Sequence, residues 1–411
     1  MKNLIKKMGR RFLKKGLNHK SIRILSSIFY RKMSIGQFKG LYEYCRENDL
    51  IIKLFNDEPH YGRKACRNEF ELENETGFCR VTSYKVYVSK LENVVITGWS
   101  DVIKKDNYLL FDRFIYDPND FGRYNPKWIL DTNRCEGLYF EYNKKENIKK
   151  GIYLVKMWSE NWTHFLVETI SRLQFLDEFS QYDNYPILLD EHLFRDQRNI
   201  DVIKIFNKKN HPIIKIKSDT MYSVDELIYP SQFSWFLFDK KKTEQGMGWT
   251  ITPQYLCYVR DTFRDYFKSY YIDQHRAKNN IYLSRGNNNR LLNEDFVVEF
   301  LKSNDFKIVN TAKMTLEEEV ECFSNASTVV CMMGSGLANM IFCDPNTKIF
   351  EFCPLKLQHD SFAMIADALG MNNYYRINCD IVQDGEQIAE TRISVPGEKL
   401  EKIVKLSKKG D

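Results

Sequence analysis

A regular alternation of strand and helix patterns over residues 280–377 constrains the fold most strongly. Five short apolar runs are separated by longer segments with helical apolar spacing; the runs are 280–284, 306–309, 327–332, 347–352 and 373–377. Two helix-start signals lie between them, Asn293 and the capping box of Thr315 and Glu318. Strands joined by helical crossovers form parallel sheets, so this region is predicted to be a Rossmann-like α/β domain.

The 411 residues exceed the usual size of one domain, and strand and helix patterns also alternate upstream of residue 272. A long helix is predicted over 163–179, where apolar residues repeat with helical spacing. The predicted organisation has four parts: a basic leader, an N-terminal α/β domain, a C-terminal Rossmann-like domain, and a tail that packs back on the N-terminal domain. Their ranges are 1–42, 43–272, 273–380 and 381–411.

Charge is distributed unevenly along the chain. Residues 1–42 contain twelve Lys or Arg and no Asp or Glu, which leaves 49 basic and 55 acidic residues, a net charge of −6, in the remainder. A uniformly basic nucleic-acid-binding surface does not fit this division. The leader has amphipathic helical spacing and is predicted to hold the protein on an anionic membrane surface, peripheral to the inner face of the plasma membrane in the cytoplasm. The alternative is a solvated basic arm.

The ten cysteines are scattered, and none forms a CxxC motif or a Cys/His cluster with zinc spacing. No metal site is therefore predicted from them, and a reducing compartment is the simplest interpretation. The sequence does not specify an oligomeric state.

Open parallel sheets bind ligands beyond the carboxyl ends of their strands, and three such ends carry suitable residues. Arg285 and Arg290 follow the first strand and offer permanent positive charge for a diphosphate. A glycine turn that opens a helix follows the third strand, with Gly334, Ser335, Gly336 and Asn339. Glu351, near the end of the fourth strand, is a candidate acceptor for ribose hydroxyls, although a buried, paired carboxylate is the alternative.

The predicted helix 163–179 carries a second set of candidate residues. His164, Glu168 and Arg172 are four residues apart and should share one side of that helix, with Asn161 just before it. A His–Glu pair suits proton abstraction from a hydroxyl, with His164 as first candidate base and Glu168 as second. The alternative is an ordinary Glu168–Arg172 helix ion pair beside a structural histidine.

Three segments, 161–179, 280–294 and 306–354, together resemble glycosyltransferase family 61 in order and spacing. The resemblance implies a GT-B architecture, two Rossmann-like domains facing across a cleft, and an inverting, metal-independent reaction with no cofactor beyond the nucleotide-sugar co-substrate. By position, Arg285, Gly334, Gly336, Asn339 and Glu351 match donor-site residues of the family. Met333 stands where many members have His.

The resemblance also implies a function in bacterial cell-surface polysaccharide biosynthesis, such as capsule or O-antigen. The expected partners are a nucleotide sugar and a glycan or lipid-linked glycan acceptor. Because Met333 departs from the family pattern, a non-catalytic glycan-binding or scaffold subunit of a polysaccharide assembly complex is the alternative. Aromatic residues in the segment 231–249, among them Trp235, Phe236 and Trp249, are candidates to stack on acceptor sugar rings.

Overall fold

The computed structural model describes residues 32–55, 85–112, 128–132, 136–237, 248–272, 278–286, 290–354, 361–385 and 391–408, apart from the side chains at 130–132, 235–237, 248–250, 272 and 361. Contacts divide the chain into two compact units; among the described residues, the first ends at Gln232 and the second begins at Phe233. The predicted boundary at residues 272 and 273 therefore lies inside the second unit. The reason is the helix Pro253–Tyr266, whose Phe263 ring packs edge to face 5.0 Å from the Phe342 ring.

Among the described residues, the first unit is built on one mixed sheet of eleven strands. They are β1 (Met33–Lys39), β2 (Ile51–Leu54), β3 (Tyr87–Ile96), β4 (Ile103–Lys105), β5 (Tyr108–Leu110), β6 (Ile129–Thr132), β7 (Glu136–Phe140), β8 (Lys144–Tyr153), β9 (Ile187–Asp190), β10 (Ile213–Ile216) and β11 (Thr220–Pro230). Their order is β10-β9-β8-β11-β3-β4-β5-β1-β7-β6, with β2 beside β3.

Only part of this sheet has the parallel pairing of a Rossmann-like domain. β8, β9 and β10 pair in parallel, as do β8 with β11 and β1 with β5. β3, β4 and β5 instead form antiparallel hairpins, because the connections between them are too short for a crossover. The expectation of two Rossmann-like domains is therefore too simple for the first unit, while the mixed α/β class is confirmed.

The helices of the first unit are α1 (Leu41–Glu47), α2 (Trp162–His164) and α3 (Gln197–Phe206), with 3₁₀ turns at Ser180–Tyr182 and Glu191–Arg195. α2 continues as a π-helical segment, Phe165–Thr169, and then as a 3₁₀ segment, Ile170–Glu178. The predicted α-helix over 163–179 is therefore helical but mostly not α. Ser171 Oγ donates to the Val167 carbonyl oxygen at 2.6 Å, a contact that competes with regular helix bonding.

The second unit contains a six-stranded sheet and a two-stranded hairpin among its described residues. The hairpin pairs β12 (Ser234–Leu237) with β13 (Gly248–Ile251). The larger sheet consists of β14 (Asn279–Leu283), β15 (Phe306–Val309), β16 (Ala326–Met332), β17 (Lys348–Pro354), β18 (Tyr374–Gln383) and β19 (Arg392–Ser394). Its order is β15-β14-β16-β17-β18-β19; the first five strands are parallel and β19 is antiparallel to β18.

Helices cover this sheet as the sequence predicts. They are α4 (Pro253–Tyr266), α5 (Ser269–Ile272), α6 (Glu294–Lys302), α7 (Leu316–Ser324), α8 (Ser361–Ala368) and α9 (Gly397–Lys408), with 3₁₀ segments at Thr311–Lys313 and Ser335–Phe342. The capping box of Thr315 and Glu318 is present at the start of α7. Asn293 precedes α6 without capping it, because its side chain instead bonds the backbone of Val395.

The C-terminal tail belongs to the second unit. Leu400 and Ile403 of α9 are fully buried in the same core as Phe350 and Tyr375 of the sheet. The apolar face of α9 therefore contributes to the core of the second unit. None of the described helices combines the length and apolarity that crossing a bilayer requires. Residues 1–31 of the leader and the side chains of Trp235, Phe236 and Trp249 lie outside the described residues.

Candidate active site

His164 and Glu168 form a direct pair in the first unit. His164 ends α2, Glu168 lies in the π-helical segment, and His164 Nδ1 is 2.7 Å from Glu168 Oε2. The His164 side chain is 15% exposed and that of Glu168 is fully buried. The carboxylate can therefore orient the imidazole, while only the imidazole reaches solvent. With Nδ1 donating to the carboxylate, Nε2 keeps the lone pair that a general base needs.

A buried lysine on the other side of Glu168 extends this pair into a network. Lys156 follows β8, and its ammonium lies 3.2 Å from Glu168 Oε2 and 3.1 Å from Asp101 Oδ2. Asp101 Oδ1 accepts a hydrogen bond from the Met157 backbone at 2.8 Å. Lys156 and Asp101 are absent from the sequence prediction; the available signal was a lysine directly after the apolar run IYLV.

Arg172 is buried for a structural reason. Its guanidinium donates to the carbonyl oxygens of Tyr153 at 3.3 Å and Leu154 at 2.7 Å, at the end of β8. Burial lowers the pKa of Arg172 from its usual value. Of the predicted helix residues, the structure therefore brings His164 and Glu168 together and directs the Arg172 side chain to backbone carbonyls.

Asn161 caps the helix that carries His164. Its side-chain oxygen accepts from the Thr163 backbone at 3.0 Å, and its backbone carbonyl accepts from Phe165 at 2.8 Å. The cap fixes the first turn and so the position of the imidazole.

Two tryptophans beside this network have an unusual backbone. Seven non-glycine residues in the described part of the chain have positive φ; five are Asp or Asn, and the other two are Trp99 (φ 56°) and Trp158 (φ 66°). A bulky side chain in this region costs about 1–3 kcal/mol and persists only where the surroundings enforce it. The Trp158 and His164 rings lie 5.6 Å apart.

The candidate residues of the second unit follow β14 and β16, the neighbouring strands at which the strand order changes direction. β15 lies on one side of β14 and β16 on the other, so the connections leaving β14 and β16 turn opposite ways. Parallel sheets bind ligands at the carboxyl ends of such a strand pair. Arg285 follows β14 and Gly334 follows β16, as the sequence predicts.

Arg285 and Arg290 converge there on one backbone oxygen. Each guanidinium donates from Nη1 to the Met333 carbonyl oxygen at 3.4 Å. Burial, together with the charge of Arg285, lowers the pKa of Arg290 to about 10. Two cations placed so close together favour a bound anion, and their planar donor sets fit phosphate oxygens.

Gly334 permits the approach of Arg285. A Cβ at this position would lie 2.7 Å from Arg285 Nη1, closer than a carbon atom can remain. Met333 itself is buried, and its backbone oxygen is the group that both arginines contact. The residue that departs from the family pattern thus contributes its backbone to the site.

Glu294 holds the loop that carries Arg285 and is also absent from the sequence prediction. Its Oε1 atom accepts from Ser284 Oγ at 2.9 Å and from the Arg285 backbone at 3.2 Å. An acidic residue in the first turn of a helix is common for electrostatic reasons, so nothing in the sequence distinguishes it.

The remaining predicted residues differ in their placement. Ser335, Gly336 and Asn339 lie in the 3₁₀ segment after the glycine turn, where Asn339 is buried. Glu351 lies inside β17 and not at its end; it is fully buried, accepts from Tyr374 Oη at 2.9 Å and lies 3.6 Å from Arg376 Nε. The expectation of a strand-end carboxylate is therefore wrong, because β17 continues to Pro354. Across the described ranges, no cluster of three or more His, Cys, Asp or Glu residues is placed to hold a metal ion.

One family model matches a long internal part of the chain. The family model described as Glycosyltransferase 61 matches residues 162–350, a range that includes His164, Glu168, Arg285, Arg290 and Gly334. A comparison with curated proteins found no match. The matched range includes both the His–Glu pair of the first unit and the arginine pair of the second. Over this range the chain matches glycosyltransferase family 61, and the match indicates that it is a glycosyltransferase.

Proposed function

We propose that this glycosyltransferase moves a sugar from a nucleotide-sugar donor to a glycan acceptor with inversion at the anomeric carbon. The observation that carries the proposal is the arginine pair, in which Arg285 and Arg290 both contact the Met333 carbonyl oxygen beside a helix start. A nucleoside diphosphate carries the negative charge that such a pair favours. Its charge increases as the glycosidic bond breaks, so these contacts strengthen in the transition state.

His164 acts as the general base in this proposal. The acceptor hydroxyl gives its proton to His164 Nε2 while its oxygen bonds to the anomeric carbon. The bond from that carbon to the phosphate oxygen breaks on the opposite face, and its electron pair leaves with the diphosphate. Glu168 is the positioning residue and not the base, since its side chain is fully buried and already contacts both His164 and Lys156.

The arginines supply the positive charge that a metal ion supplies in other glycosyltransferases, so the proposed reaction is metal-independent. A GT-B arrangement of the two units, a cytoplasmic location at the inner face of the plasma membrane, membrane attachment through residues 1–42 and a function in bacterial cell-surface polysaccharide synthesis complete the proposal. The excess of Lys and Arg in residues 1–42 supports the membrane contact.

A thermal-shift screen of nucleoside diphosphates and nucleotide sugars tests the donor site. One nucleotide should raise the unfolding midpoint, since a ligand at a hundred times its Kd adds about 2.7 kcal/mol of stability. The double variant Arg285→Ala/Arg290→Ala should lose the shift, and an equal shift in that variant would place the donor elsewhere.

The matching nucleotide sugar then tests the reaction. Transfer should continue in excess EDTA, and NMR of the first product formed should show the inverted anomeric configuration. Retained configuration, or loss of activity on chelation, would refute that part of the proposal. Nucleotide binding without transfer or donor hydrolysis would favour the non-catalytic alternative.

A further inference from the structure

Trp99 and Trp158 are the two described non-glycine residues with positive φ that are neither Asp nor Asn. Both are partly exposed. A glycine would adopt the same backbone without strain, and a tryptophan there needs a reason. Strained residues of this kind cluster at binding and catalytic sites.

Two buried aspartates hold both tryptophans in place. Asp190 Oδ1 accepts from the Trp99 backbone N–H, and Asp190 Oδ2 accepts from the Lys156 backbone N–H and Ser159 Oγ, both at 2.9 Å. Asp101 Oδ1 accepts from the Met157 backbone at 2.8 Å. The residues on each side of Trp158 are thus tied to different carboxylates, and one of these carboxylates also holds Trp99.

The same segment brings polar groups beside the two rings. Trp99 Nε1 donates to Glu160 Oε2 at 2.8 Å, and the Glu160 side chain is half exposed. The Trp158 ring lies next to His164, the proposed base. The loop after β3 and one short stretch of chain therefore bring three kinds of group together. These are the indole rings of Trp99 and Trp158, the Glu160 carboxylate and the proposed base His164.

We propose that Trp99 and Trp158 form the acceptor subsite, with Trp158 stacking on the apolar face of the sugar ring that carries the attacking hydroxyl. Glu160 accepts hydrogen bonds from other hydroxyls of the acceptor. This inference rests on the proposed function, because it assigns the acceptor to the side of His164.

Charge favours a neutral sugar over an anionic ligand here. The titratable groups around the tryptophans are the carboxylates of Asp101, Asp190, Glu160 and Glu168, the ammonium of Lys156 and the imidazoles of His164 and His192, of which His192 Nε2 lies 3.5 Å from Glu160 Oε2. The carboxylates outnumber the one ammonium four to one. A phosphorylated ligand or a nucleic acid would meet repulsion, whereas a sugar ring presents C–H groups to the indole and hydroxyls to the carboxylate.

Saturation-transfer NMR on the full-length protein tests the subsite. The probes are the methyl glycosides of glucose, galactose, mannose, xylose and N-acetylglucosamine. At least one should bind, with the strongest saturation on its ring C–H protons, and Trp158→Gly should weaken that binding by about three- to tenfold. Trp158→Phe, which keeps a ring, should bind more tightly than Trp158→Gly.

The glycine variant also separates binding from packing. If the role of Trp158 is to bind the ligand, Trp158→Gly should unfold at the same or a higher temperature than the wild type. The reason is that glycine adopts the left-handed backbone without strain. A lower midpoint with unchanged glycoside binding would overturn the inference in favour of a packing role. Trp99→Gly is the second variant and should behave in the same way.

Trp162→Phe is the matched control. The Trp162 ring is covered by the Arg198 guanidinium at 5.6 Å, so its substitution should leave glycoside binding unchanged. An equal loss in Trp162→Phe and Trp158→Phe would overturn the assignment. A wild-type protein that binds a nucleoside diphosphate but none of the glycosides would refute the subsite while the proposed donor site stands.

Discussion

The two candidate sites differ in how their charged side chains are arranged. In the first unit, one buried cation, Lys156, lies between the buried carboxylates of Asp101 and Glu168. In the second unit, Arg285 and Arg290 converge on a single carbonyl oxygen, and the pKa of Arg290 is lowered. The first cluster pairs its charges internally, whereas the second places like charges together.

This difference indicates a division of labour. A network whose charges are already paired is suited to hold His164 in one orientation before substrate arrives. Two like charges repel each other until an anion binds beside them. The free energy released by neutralising that repulsion therefore contributes to ligand binding. In the proposed mechanism, proton abstraction therefore belongs to the first unit and leaving-group stabilisation to the second.

Removal of the base should have the largest effect. His164→Gln should lower turnover by about 10²- to 10⁴-fold, the usual contribution of a positioned general base, with little change in nucleotide binding. Turnover is measured as release of the nucleoside diphosphate from the donor that the screen selects. His211→Gln is the control for loss of an imidazole, since His211 bonds the Tyr185 carbonyl oxygen. Near-normal turnover in His164→Gln would remove this side chain from the mechanism.

One type of substitution should have opposite effects in the two units. Lys156→Met leaves two buried carboxylates without their cation and should lower the free energy of unfolding by about 3–5 kcal/mol. Arg290→Met should leave stability unchanged or raise it, because like-charge repulsion is relieved, while nucleotide affinity falls. Denaturant titration measures both variants.

The double variant Asp101→Asn/Lys156→Met tests the cause of the loss at Lys156. It should recover part of the stability, since one of the two uncompensated charges is removed. Destabilisation of Arg290→Met as large as that of Lys156→Met would contradict the contrast between the units.

The sequence predicted the second unit better than the first for a physical reason. The arginines and the glycine turn follow parallel strands, and the carboxyl ends of parallel strands meet at one edge whatever the side chains are. Arg285, Arg290 and Gly334 could therefore be placed together from strand order alone.

The network of the first unit could not be predicted in this way. Lys156 and Asp101 are 55 residues apart and meet through a mixed sheet whose pairing no local pattern specifies. The spacing of His164 and Glu168 did predict their contact, although the helix between them is partly of π type. The left-handed backbone of Trp99 and Trp158 had no signal in the sequence, because tryptophan is among the residues least expected there.

A smaller effect is expected from pH, and it arises in the first unit. Asp112 is buried and accepts from the hydroxyls of Tyr87 and Tyr229, and burial raises its pKa to about 6. The native state therefore binds this proton more tightly than the unfolded state. Stability should be greatest below pH ~4 for this group and fall by about 3 kcal/mol as the pH rises through 6.

Asp112→Asn should abolish that part of the pH dependence. Unfolding midpoints of the variant and the wild type, measured from pH 4 to pH 7, provide the comparison. Asp49→Asn is the matched control, since Asp49 is exposed and asparagine tolerates its left-handed backbone. An unchanged slope in Asp112→Asn would show that other groups cause the dependence.

The smallest effect is expected at Gly334 and sharpens the assignment of Arg285. Gly334→Ala would bring Cβ within 2.7 Å of Arg285 Nη1, and the flexible guanidinium should move away at little cost in stability. Nucleoside diphosphate affinity should fall by about tenfold, or about 1.4 kcal/mol, as one charged hydrogen bond is lost. Gly397→Ala is the control, because its Cβ would make an ordinary contact with Phe296 at 3.7 Å.

The decisive measurement is a double-mutant cycle by calorimetry: in an Arg285→Ala background, Gly334→Ala should have no further effect on affinity. Additive losses would mean that the glycine contacts the nucleotide independently of Arg285.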